Sequence, residues 1–127
     1  MKKNSIFVLF VLLILASCTS NKGVDSEVLQ SEITSISCPK TAISDKDVKV
    51  TVSFTGPSGC AEPFNIKANK VGQTVTLSAF YKSNNSQPCT HATVNLELDY
   101  SFFADLPGTY FFISDMNSSI ADTLIVY

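Results

Sequence analysis

Apolar residues fall along this chain in two different patterns. Ile6 to Ala16 is an unbroken run of eleven residues with no charged or polar side chain. From residue 48 onward apolar and polar residues alternate instead. Val48, Val50, Val52 and Phe54 are interleaved with Lys49, Thr51 and Ser53, and Val75, Leu77, Ala79 and Tyr81 run beside Thr74, Thr76, Ser78 and Lys82. Val94, Leu96, Leu98, Tyr100 and Phe102 are interleaved with Asn95, Glu97, Asp99 and Ser101. Successive side chains of a strand point to opposite faces, so a period of two predicts strands with one apolar and one wet face. Shorter segments at 33–38, 63–69, 109–114 and 120–127 have the same character. Helical periodicity is absent after the opening run.

Turn residues separate these segments: Gly56-Pro57-Ser58-Gly59, Val71-Gly72-Gln73, Ser83 to Pro88, Pro107-Gly108 and Met116 to Ser119. About seven short strands with regular turn signals are the pattern of an all-β, Ig-like antiparallel β-sandwich, in which two sheets bury each other's apolar faces. The expected domain spans residues 33–127. One stretch narrows this. Leu106-Pro107-Gly108-Thr109-Tyr110-Phe111-Phe112 resembles the penultimate strand of bacterial Ig-like domains, which begins with Gly-x-Tyr. The resemblance implies that Tyr110 is buried, with its hydroxyl turned back onto the backbone as in a tyrosine corner.

The opening run has a separate meaning. Lys2 and Lys3 precede it and Leu15-Ala16-Ser17-Cys18 ends it. Spanning a bilayer as a helix takes about 20 apolar residues, whereas a signal h-region takes about 7–15, so this run reads as a leader. Large apolar, small, small, cysteine resembles the lipobox of bacterial lipoproteins. That resemblance implies cleavage before Cys18 and acylation of its thiol, leaving 1–17 as signal peptide. Acyl chains anchor by burying methylenes at about 0.8 kcal/mol each, so the protein is expected on a membrane and not through it. Residues 18–32 carry few large apolar groups and no period, and read as a tether reaching about 20 Å. Asp25 and Glu27 lie some way behind the cysteine, and Thr19-Ser20-Asn21-Lys22 comes first. This matches a surface-export signal poorly, so the outer membrane facing the periplasm is the expectation and surface exposure the alternative.

Composition removes several function classes. Without residues 1–17 the chain keeps 110 residues, seven lysines, no arginine and eleven acidic residues, a formal charge of −4. Nucleic-acid binding needs a basic face, so no nucleic-acid partner is expected. Tryptophan is absent and His91 is the single histidine. Catalytic sites draw heavily on histidine, arginine and perturbed carboxylates, and that scarcity argues against an enzyme.

Cys38, Cys60 and Cys89 remain after Cys18. An exported chain meets an oxidising compartment, and three cysteines allow at most one internal bond. Cys60 and Cys89 flank the hairpin 63–82 and are the favoured pair; Cys38, on the first strand, is the alternative partner for either. A thiol site at Cys89-Thr90-His91 is the competing reading. Metal sites need more ligands at tighter spacing, so neither metal nor cofactor is expected.

Other constellations are weaker. Glu97 and Asp99 share one strand face, and paired carboxylates can hydrolyse glycosides, but a solvated face predicts the same letters. Asp45-Lys46-Asp47 and Asp115-Met116-Asn117 echo half a calcium loop, and Asx turns explain both more cheaply. Asp122-Thr123-Leu124 matches the short O-glycosylation motif of Bacteroides-type bacteria. Phe80 and Phe103 fall on the polar faces of their strands, and Phe111 cannot point inward together with Phe112; Phe80, Phe103 and Phe111 are thus candidates for an apolar binding patch.

Taken together, the chain resembles the small envelope lipoproteins of Bacteroides-type bacteria. The expected role is a binding or structural module, held to the membrane by its lipid, with another envelope protein or a glycan as the candidate partner. The alternative is a small hydrolase or redox accessory using Cys89 and His91 or Glu97 and Asp99.

Overall fold

A computed structural model of the chain describes residues 26–84 and 88–127. The described residues contain nine strands and no helix: β1 (Glu27–Ser31), β2 (Ile33–Ser37), β3 (Thr41–Ala42), β4 (Lys46–Gly56), β5 (Ala61–Val71), β6 (Thr74–Ser83), β7 (Val94–Ala104), β8 (Gly108–Ser114) and β9 (Ala121–Val126). They form two packed sheets. One is three-stranded, in the order β2-β4-β7. In the other, β5 takes one edge of β6, while β1 and β8 share the opposite edge, followed by β9 and β3. Every alternating segment becomes a strand, and the all-β sandwich forms as the period of two requires.

The core is the meeting of the two inner faces. Val50, Val52 and Phe54 of β4 face Val75, Leu77 and Ala79 of β6, all fully buried, with Phe112 and Leu124 beside them. Phe102 sets its ring edge-on to Tyr110 and Phe112 at centroid distances of 5.0 and 5.1 Å, the geometry that opposed ring quadrupoles favour. The turn from β4 to β5 depends on Gly56, where a Cβ would collide with the Ala61 methyl.

Three details differ from the sequence expectation. Nine strands form, not about seven, because β1 and the two-residue β3 carry no readable period. The tether expected over 18–32 is cut short by β1. Only Ser31 of β1 is buried, so no apolar alternation marks it; the strand forms because Glu27–Ser31 pairs with Ala79–Ser83, about fifty residues away. Finally, the ladders are not all antiparallel. Thr74–Leu77 of β6 runs parallel to Phe111–Ser114 of β8, and β3 runs parallel to β9. The chain leaves β6 for β7 in the other sheet before returning as β8, and that crossover brings β8 back in the same direction. Cys18 and the leader lie outside the described residues.

Candidate functional site

The loop end of the sandwich holds the groups with the most reactive chemistry. Cys60 ends the turn after β4, and Cys89 lies in the segment leading to β7. They form a disulfide with Cα atoms 5.4 Å apart, inside the usual 4.4–6.8 Å range. The Gly59 N–H donates to the Thr90 carbonyl at 3.0 Å, tying the same two loops. The Cys60–Cys89 pairing therefore stands. With the Cys89 sulfur in that bond, no free thiol stands beside His91, which lies exposed on the loop that follows.

Cys38 keeps its thiol, buried just past β2. Burial pushes that thiol up to about 12, with further help from a hydrogen bond to Asp122 and the Asp122 charge. Asp122 organises the far edge of the molecule. It accepts from the Cys38 backbone N–H at 2.9 Å, from Lys40 Nζ at 2.7 Å and from the Thr123 N–H at 2.8 Å. Burial would raise its pKa, but these donors outweigh it and hold the carboxyl at about 2. No sequence pattern pointed to this node, since Cys38 and Asp122 are 84 residues apart.

Glu97 and Asp99 share the outer face of β7, as the alternation requires, and both are exposed. Asp99 is bonded to Lys49 Nζ at 2.8 Å and to Thr51 Oγ1 at 2.9 Å, both across on β4. Those hydrogen bonds, Lys49 first, hold its carboxyl below the ordinary range. The pair stands on a sheet surface, the solvated alternative to a sugar cleft. A shallow groove of about 330 Å³ opens elsewhere, between Gln30, Glu32, Thr55, Pro57 and Tyr81. Ser31 at its floor donates its hydroxyl to the Thr55 carbonyl, so that group is already bonded. Among the described residues, no three His, Cys, Asp or Glu side chains gather as metal ligands.

The aromatic candidates point outward but form no single patch. Phe103 is exposed on the outer face of the three-stranded sheet, opposite Asp47. Phe80 and Phe111 lie on the outer face of the other sheet, on the far side of the sandwich. Phe111 pairs with Thr74, six residues along β6 from Phe80, about 20 Å away. Phe80 is half-buried, with Lys67 Nζ 4.8 Å from its ring centre, and Lys82 covers Phe64 at 4.4 Å. Parity was enough to send these side chains outward; it could not say which sheet each belongs to.

Tyr110 is buried and donates its hydroxyl to the Leu106 carbonyl at 2.8 Å, the corner that its motif implied. Lys70 lays its chain beside that ring and the ring of Phe102, and its Nζ reaches Asp105 at 2.8 Å. Neither half-calcium motif forms a loop of ligands: Asp45 ends a turn whose next residues, Lys46 and Asp47, open β4, and Asp115 to Asn117 lie in the bend after β8. Asp45 takes the left-handed φ of 60° that aspartate tolerates, and Asn117 Oδ1 accepts from the Ser119 N–H at 3.1 Å. Asp115 accepts from Gln30 and Ser78. Thr123 of the glycosylation motif is half-buried within β9.

The chain matches no protein-family model, and neither a curated protein nor a solved structure matches it.

Proposed function

We propose that this chain is a lipid-anchored envelope lipoprotein whose sandwich acts as a binding or structural module. The observation that carries this reading is the Cys60–Cys89 disulfide. Disulfides persist in oxidising compartments outside the cytosol, where the leader and the Leu15-Ala16-Ser17-Cys18 motif would send the protein. The binding role is supported by how the chemistry-bearing groups are used: Cys89 closes a loop, Asp99 holds Lys49, and the buried Cys38 thiol titrates far above neutrality. None of these observations favours the hydrolase or redox reading.

The test is cell fractionation of the wild type and Cys18→Ala, with mass spectrometry of the mature N-terminus. The expected result is acylated Cys18 at the N-terminus and release of Cys18→Ala from the membrane. An unmodified Cys18, or a variant that stays membrane-bound, overturns the anchor.

A further inference from the structure

The side of the sandwich where β5 and β7 lie holds two edge strands that are treated in opposite ways. Exposed edges offer unpaired N–H and C=O groups to other chains, and proteins blunt them with proline, bulges, lysines and inward-pointing charges. β5 carries all of these. It contains Pro63, its register with β6 shifts between Pro63 and Asn65, and Lys67 stands on its outer face. Lys70 sits opposite Val75, on the inward side.

β7 carries none of them. Its eleven residues pair in unbroken register with Lys46–Gly56 of β4, and among the described residues it pairs with no other strand. It has no proline, glycine or lysine. Its inward row, Val94, Leu96, Leu98 and Tyr100, packs against the core yet stays only partly covered. A strand added to this edge would extend the sheet and cover that row.

The outer face identifies the occupant. Antiparallel pairing of two β7 edges about Leu98 would set Glu97 of each copy against Asp99 of the other, and like charges directly opposite are destabilising. In that register self-pairing is discouraged. Asp99 is engaged by Lys49, whereas Glu97 makes none of the described ion pairs. We propose that the β7 edge receives an extended segment of another protein by strand addition, apolar on its inward side and bearing lysine or arginine opposite Glu97. Main-chain bonds would supply affinity and the alternate side chains the choice of partner. The inference rests on the interaction-module reading but not on the lipid anchor.

The test uses the full chain with Cys18→Ala, so that anchoring and docking are read separately. The probe is a fluorescent peptide alternating lysine and valine, with a glutamate–valine peptide as control. Anisotropy should show saturable binding of the lysine peptide, weakened by about tenfold or more in Glu97→Lys, which should in turn bind the glutamate peptide. Amide exchange should slow across 94–104 and not across 61–71. No saturable binding, indifference to Glu97→Lys, slowed exchange on β5 instead, or a stable dimer of the peptide-free chain would each overturn the proposal.

Discussion

Asp122 accepts a hydrogen bond from the backbone N–H of Cys38 at 2.9 Å, joining β9 to the chain as it leaves β2 in the opposite sheet. Lys40 completes the contact from the solvent side. One carboxylate therefore helps hold the two sheets in register at the edge away from β5 and β7.

This contact makes stability acid-sensitive in a defined window. The Asp122 carboxyl is held at about 2 in the folded protein, below the value of about 4 it takes when unfolded. Its folded pKa is depressed, so the stabilisation is fully present above pH 4 and is lost as pH falls through about 2. Denaturant melts of wild type and Asp122→Asn from pH 6 to 2 should converge toward the acid end. Parallel curves would show that Asp122 does not couple to folding.

Cys38 is expected to be the slow thiol. It is buried, and its pKa is raised to about 12, so almost no thiolate forms near neutrality. Iodoacetamide should modify it only on the timescale of unfolding, and rapidly in denaturant. Because the folded state holds its proton more tightly, this group favours folding below pH 9 and ceases to do so as pH rises toward 12. Fast labelling of the native chain at pH 8 would contradict the burial.

Tyr110→Phe removes only the hydroxyl that binds the Leu106 carbonyl. The ring, with its edge contact to Phe102, stays. A loss of about 1 kcal/mol is expected, the usual net worth of one hydrogen bond. Tyr110→Ala should cost more, about 3–5 kcal/mol, since it also empties a buried aromatic site. Equal losses for the two variants would mean that the corner bond, not the ring, dominates.

Reduction of Cys60–Cys89, or the double change to serine, should lower stability by about 3.5 kcal/mol for a loop closed over 29 residues. Peptide mapping without reductant should find these two cysteines joined and Cys38 free. Any fragment linking Cys38 would refute the pairing.

How far the sequence reached differs from element to element. β4, β6 and β7 were legible because each keeps one face apolar over at least four successive inward positions, and that local pattern needs no partner to be read. Tyr110 was legible because its corner is closed four residues away, at Leu106. The disulfide could be reasoned from the hairpin between its ends. β1 was invisible, since its strand character is imposed by β6 and not by its own side chains.

The sequence by itself determined the all-β class, the inward and outward sides of β4, β6 and β7, the odd cysteine and the leader-like opening. Those properties are local: they follow from a period of two, a count, or a short run of letters. Only the tertiary structure decided that β6 and β8 lie parallel, that Phe103 faces away from Phe80 and Phe111, that Asp122 reaches Cys38, and that the proline and register shift of β5 have no counterpart on the β7 edge. Each depends on which sheet a strand joins and which neighbour it meets there. Parity along a chain fixes the face of a residue within its own strand and is silent about both.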